Sequence, residues 1–215
     1  MIFDFASLDS QQRYKLLSST VIPRPIAWVC SLNDQGEVNA APFSYFNVFG
    51  EDPPVLGFSI LHRSQSDIKD TGRNIRERGE FVVNLVSEDT LDQMNITAID
   101  FPPHISETAQ AQLTTAGSVS IATPRIAQSR VAFECRLRDI VPLGKMRSLV
   151  LGDVLTMHIA DDAVLDAQRC WVDSPRLQII GRTAVGSYIR TSDVLKIPSI
   201  PLDDWIAQKG DLPEG

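Results

Sequence analysis

The stretch VIPRPIAWVCSLNDQGEVNAAPFSYFNVF, from Val21 to Phe49, decides the fold class. Pro23 and Pro25 hold the backbone extended. Ile26 to Leu32 then reads as an apolar strand. Asn33-Asp34-Gln35-Gly36 is a turn in which Gly36 can take a positive φ, and Glu37 to Ala40 begins the return strand of a β-hairpin. Pro42 has no N–H to donate to a ladder. It is therefore expected to end the pairing, so that Ala41 to Asn47 leaves the sheet as a loop. In that loop Phe43, Tyr45 and Phe46 alternate with the small or hydrogen-bonding Ala41, Ser44 and Asn47. A planar heterocycle needs such apolar faces, with a few polar groups at its edge. The plainer reading is a core strand leaving through a proline kink.

Outward from this hairpin, strands continue to dominate. Pro53-Pro54 opens an apolar strand through Leu61, and Glu80–Val86 is another. Ser129–Val141 alternates like a half-exposed strand, with Val131, Phe133, Cys135 and Leu137 on one face and Arg130, Glu134, Arg136 and Arg138 on the other. Ser148–Ile159 is a second long strand, and more β is expected at Leu177–Ile180. Short helices are expected at Leu8–Leu17, at Asp67–Gly79 and from Ser87 to about Thr97. The second of these has Ser66 as N-cap and Gly79 as its stop. Residues 98–128 read as a long irregular excursion: a lid, a partner-binding segment, or a partly helical stretch. The end, from about Leu195, reads as an extended arm. With hairpins dominant and no βαβ rhythm, the fold expected is mainly β: an antiparallel barrel with attached helices, in one domain over residues 1–215.

The 215 residues carry a net charge of −7, which disfavours nucleic acid and anionic membrane surfaces as partners. Cys30, Cys135 and Cys170 are too scattered for a disulfide framework and are expected as buried thiols. His62, His104 and His158 lack metal-ligand spacing. His158 reads as a packed or interface histidine. No secretory leader and no apolar run of about 20 residues is present, so the expected compartment is the cytoplasm. With no nucleophile elbow, Rossmann fingerprint or Walker loop, any redox or transfer chemistry would be carried by a cofactor.

A second candidate segment is SILHRSQSDIKDTGRN, Ser59 to Asn74. A buried strand ends in a His62-Arg63 turn and enters a helix whose first turns carry Ser66, Lys69 and Thr71. Helix N–H groups, hydroxyls and a guanidinium together favour a phosphate. The plainer reading is an ordinary N-cap beside a solvated basic face.

Taken in order, RPIAWV-x-S at Arg24–Ser31, N-x-APFSYFN at Asn39–Asn47, DPP at Asp52–Pro54, KDT-x-x-NI at Lys69–Ile75 and EFVVN at Glu80–Asn84 resemble the flavin reductase-like, FMN-binding split-barrel family. Met94-Asn95, Glu134-Cys135, L-x-LGDVL at Leu149–Leu155 and GSY at Gly186–Tyr188 extend the resemblance over roughly residues 14 to 190. It implies a six-stranded antiparallel split barrel with Greek-key connections, and a homodimer with two FMN sites near the subunit interface. FMN would be held noncovalently, its phosphate at Ser59, His62, Arg63, Ser66, Lys69, Thr71 and Asn74. Its ring would lie against Trp28 and the segment carrying Ala41, Pro42, Phe43, Ser44 and Asn47, with Tyr188 approaching from the same or the other subunit. NAD(P)H is the implied co-substrate, with no side-chain acid or base needed. A monooxygenase or other electron-acceptor protein is a further implied partner. The alternatives are an electron-transfer flavoprotein without a nicotinamide site, and a binding module without activity.

Overall fold

A computed structural model describes residues 1–65, 67–101, 106–184 and 186–209; Ser66 and His104 therefore lie outside the described residues. The helices are α1 (Ser10–Thr20), α2 (Asp70–Arg78), α3 (Leu91–Ile96), α4 (Glu107–Gln110) and α5 (Leu202–Lys209). The strands that build the main sheet are β1 (Ala27–Leu32), β2 (Val38–Phe43), β3 (Phe46–Glu51), β4 (Pro54–Leu61), β5 (Glu80–Leu85), β8 (Val131–Pro142) and β9 (Arg147–Ile159). Six short strands pair outside it: β6 (Thr115–Ala116) with β7 (Arg125–Ile126), β10 (Val164–Asp166) with β11 (Trp171–Val172), and β12 (Ile180–Arg182) with β13 (Tyr188–Arg190).

The main sheet has seven antiparallel strands in the order β2-β1-β5-β8-β9-β4-β3. Two expectations change here. The sheet has seven strands rather than six, β3 being one that the sequence reading did not assign, and Pro42 does not end the hairpin. Pro42 lies opposite Trp28, and Phe43 opposite Ala27, so β2 pairs to its last residue. Proline is tolerated because β2 is an edge strand, where its missing N–H faces no neighbour. Only Ser44 and Tyr45 are unpaired before β3 begins at Phe46.

Those two residues carry the topology. β2 and β3 are the two edges of the sheet, yet they are consecutive in the chain. The sheet must therefore curl until its edges come within two residues of each other. The Ser59 amide donates to the Tyr45 carbonyl at 2.8 Å, and the Phe43 and Phe58 rings lie 5.1 Å apart. Among the described residues, no ladder closes β2 onto β3. The curled interior packs Ala27 and Val29 of β1 with Leu56, Phe58 and Ile60 of β4, Phe81 and Val83 of β5, and Cys135. Trp28, Cys30 and Val82 point the other way, into a second core beneath α3, Ile126 and Ile180. β1 is thus buried on both faces, which explains its unbroken apolar reading.

Several boundaries shift. Helix α2 starts at Asp70, with Lys69 as N-cap and no side-chain cap bond, while Gly79 ends it in the left-handed region at φ +71°. The C-terminal arm contains a helix, α5, starting just after Pro201, a position from which proline favours helix entry. Cys170 is exposed rather than buried, since it sits in a turn at φ +54°. Cys30 is enclosed, and burial pushes its thiol up to about 12, against a lowering contribution from the Asn84 side chain.

Glu134 departs furthest from expectation. Arg136 and Arg138 on its face of β8 are exposed, but Glu134 itself is covered by the loop Ser118–Thr123 and fully buried. Its carboxylate accepts from the Val119 amide at 2.7 Å, the Ser120 amide at 2.6 Å and His158 Nε2 at 2.6 Å. Glu80 receives the Ala122 and Thr123 amides and the Thr123 hydroxyl in the same way. The excursion over 106–126 is therefore anchored by two carboxylates standing in for strand partners.

Candidate functional site

Three clefts meet around Pro42. The largest, of about 900 Å³, lies between α1 and the curled sheet. Its walls are Ser10, Gln11, Arg13, Tyr14 and Leu17 on one side, and Pro42, Phe43, Ser44, Tyr45, Ser59, Leu61, Lys69, Leu143, Met146 and Arg147 on the other. A second, of about 80 Å³, runs from Ala41, Pro42 and Phe43 to Arg63, Lys69 and Thr71. A third, of about 180 Å³, runs from Tyr14, Pro42 and Ser44 to Ile26, Met94, Ala98, Arg182 and Tyr188. The largest falls within the size range of ligand sites. The two-residue link Ser44–Tyr45, where the sheet's edges meet, places Ser44 in two of the clefts.

The charge of the large cleft runs against that of the protein. The chain carries −7, yet Arg13, Lys69 and Arg147 line this cleft and no Asp or Glu does. None of the three forms an ion pair with a carboxylate among the described residues. Arg147 is oriented: its Nη1 donates to Ser59 Oγ at 3.0 Å, and its guanidinium stacks 4.9 Å over the Tyr45 ring. Cations gathered without counter-ions beside aromatic faces suit a planar ligand bearing a phosphate. A cleft of opposite sign lies against the α2 face of Asp70, Arg73, Asn74 and Glu77. Its carboxylates are Asp34, Glu37, Asp70, Glu77 and Glu107, so it is unsuited to a phosphate.

Of the residues expected to bind a ligand, Ala41, Pro42, Phe43, Ser44, Ser59, Arg63, Lys69, Thr71 and Tyr188 line the three joined clefts. Four described residues are placed elsewhere. Trp28 is buried in the core, its Nε1–H donating to Thr97 Oγ1 at 2.9 Å. Asn47 points away because β3 has already begun, and its Oδ1 accepts from the Val48 amide at 2.8 Å. Asn74 is buried between α2 and β1, where its Nδ2 donates to Ser31 Oγ at 3.2 Å. His62 bridges from the end of β4 to Ser148 at 2.9 Å, leaving its buried Nδ1 without a partner.

Arg63 is on the second cleft but engaged: its Nη2 lies 3.0 Å from both Asp70 and Asp100. The hydrogen bond from Arg63 holds the Asp100 carboxyl below its ordinary range. Arg147 supplies the oriented guanidinium that sequence reasoning gave to Arg63. No local motif marks it; β9 alone brings it beside Ser59, its register partner being Leu61. Arg13, Tyr14 and Arg182 were likewise visible only through the fold.

With this geometry in view, residues 18–172 match the family described as the flavin reductase like domain. The crystal structure of nitrilotriacetate monooxygenase component B from Bacillus cereus is similar at a TM-score of 0.86 with 31% identity, covering 92% of this chain and 98% of that one. The 2-nitrobenzoate 2-nitroreductase NbaA of Pseudomonas fluorescens is similar at a TM-score of 0.86 with 36% identity, over 94% and 97% of the two chains. A Shewanella frigidimarina protein with a split barrel domain has a TM-score of 0.80 at 19% identity, over 93% and 100%. That last likeness concerns the fold alone.

Proposed function

The chain belongs to the flavin reductase-like family, and on that premise we propose that it is an FMN-dependent oxidoreductase, passing electrons from NAD(P)H through noncovalently bound FMN to a second substrate. The observation that carries this reading is the large cleft, with three cations and no carboxylate in an acidic protein. FMN, when bound, supplies the hydride-accepting ring. The chain's own residues have simpler tasks. Lys69 and Arg147 neutralise the phosphate, and Ser59 and Tyr45 hold the Arg147 guanidinium in its direction. Pro42, Phe43 and Ser44 form the wall against which the ring is held, and α1 screens it from water through Tyr14 and Leu17. Ser44 offers a hydroxyl to the ring's polar edge. No side-chain acid or base is assigned. The curled sheet is read as the split barrel of the family, and a homodimer remains the expected assembly. The exposed Val48 and Phe49 on edge strand β3 are in keeping with a further apolar contact.

The two relatives suggest different second substrates. One is component B of a monooxygenase, which favours a partner oxygenase; the other is a nitroreductase, which favours a small aromatic acceptor. The cleft's own chemistry is tested by titrating the purified protein with FMN and with riboflavin, which lacks the phosphate. FMN is expected to bind about ten- to a hundredfold more tightly, the worth of one or two charge-assisted contacts. Equal affinity for the two flavins would contradict the phosphate assignment.

A further inference from the structure

Arg24 and Arg182 face each other across an isolated antiparallel bridge, with amide–carbonyl bonds of 2.9 and 2.8 Å in the two directions. Like charges directly opposite are unfavourable unless something between or beside them compensates. Arg24 is accounted for. It is 5% exposed, and its guanidinium donates to the carbonyls of Ser18 and Val21 at the C-terminal end of α1, and to that of Thr183. Helix-end carbonyls favour a cation.

Arg182 has a neutral phenol beside it and no carboxylate partner among the described residues. It is half-buried, and its guanidinium donates to the Tyr188 hydroxyl and lies 4.5 Å over the Tyr188 ring. The remaining walls of its 180 Å³ cleft are Ile26, Met94, Ala98, Pro42 and Tyr14, with Ser44 as the single small hydroxyl. One guanidinium among apolar and aromatic walls selects a ligand that is both anionic and flat: the fork pairs with a carboxylate and the walls cover a ring. Tyr14, Pro42 and Ser44 also line the large cleft, so such a ligand would lie beside whatever occupies that space.

We propose that the cleft at Arg182 and Tyr188 is the second-substrate site and takes a small planar aromatic carboxylate, its carboxylate paired with the Arg182 guanidinium. The term second substrate rests on the FMN reading above; the preference for a flat anion does not.

The test is calorimetric binding of benzoate, benzamide and acetate to the purified protein, with and without added FMN. Benzoate has both charge and ring; benzamide lacks the charge and acetate the ring. Benzoate is expected to bind most tightly. Arg182→Gln should weaken benzoate about ten- to a hundredfold and leave benzamide nearly unchanged, while Arg182→Lys should retain part of the preference. Equal binding of benzoate and benzamide by the unaltered protein would overturn the proposal, whether or not the variants fold. Binding of acetate as tightly as benzoate would reduce the site to a simple anion site and overturn it too. If Arg182→Gln weakened NADP+ as much as benzoate, the guanidinium would serve the dinucleotide and the proposal would fall. A protein that takes up no FMN would end the flavin reading while leaving the benzoate comparison to decide this one.

Discussion

Arg63 and Arg147 separate what a residue type suggests from what its neighbours allow. Both are guanidiniums near the proposed phosphate, but Arg63 is already shared between two carboxylates and Arg147 meets only a hydroxyl and a ring. Arg147→Ala and Lys69→Ala are therefore each expected to weaken FMN binding by about tenfold or more, measured by quenching of flavin fluorescence. Arg63→Ala is expected to weaken it less than either, because moving Arg63 to a phosphate would break its pairs with Asp70 and Asp100, and Asp100 has no other ion-pair partner among the described residues. An Arg63→Ala loss exceeding that of Arg147→Ala would reverse the assignment. The sequence brought Lys69, Ser59 and the Ala41–Ser44 wall into view because each lies in a short motif. Arg147 carries no motif; it reaches the cleft only through the pairing of β9 with β4.

At the scale of elements, one expectation from proline chemistry and one from periodicity went astray for physical reasons. Proline was expected to stop β2. Whether a strand is an edge depends on the order of the whole sheet, which no local stretch of sequence records, and on an edge Pro42 is acceptable. Three more paired residues on β2, Ala41 to Phe43, and the start of β3 at Phe46 together convert an expected seven-residue loop into a two-residue link, and the start of β3 takes Asn47 out of the cleft. Glu134 was expected in solvent because its strand alternates. The alternation is real, and Arg136 and Arg138 on that face are exposed, but Glu134 is roofed by the loop at Ser118–Thr123, whose Val119 and Ser120 amides take the place of water at its carboxylate. Strand positions, the hairpin turn and the Gly79 stop were legible, since each depends on residues close in sequence.

The roof makes a pH prediction. Burial would raise the Glu134 carboxyl, but hydrogen bonds from His158 and from the Val119 and Ser120 amides outweigh it, and the carboxyl lies below its ordinary value. A folded-state value below the unfolded one means stability that is present above the ordinary carboxylate range and lost as pH falls through the folded value. Glu134→Gln should destabilise the protein at neutral pH by roughly 1.5–3 kcal/mol. The gap from the unaltered protein, followed by urea unfolding, should narrow on acidification below that range. A gap that is constant with pH would show that the charge on Glu134 contributes nothing to the anchoring of the loop.

For the whole molecule, the sheet's edges meet at Ser44–Tyr45, and the clefts open where they meet. The chain is acidic overall, yet the large cleft is lined by Arg13, Lys69 and Arg147 and by no carboxylate, the arrangement on which the phosphate proposal rests. Membership of the flavin reductase-like family motivates the flavin proposal, and the groove is where we propose that it binds. The central proposal is that FMN bound there accepts electrons from NAD(P)H. The most direct measurement is anaerobic addition of NADH or NADPH to the FMN-loaded protein while the flavin's visible absorption is followed. At least one of the two is expected to bleach the yellow colour rapidly, and an added acceptor to restore it. Retention of the colour in the presence of both nucleotides would contradict an NAD(P)H-dependent oxidoreductase.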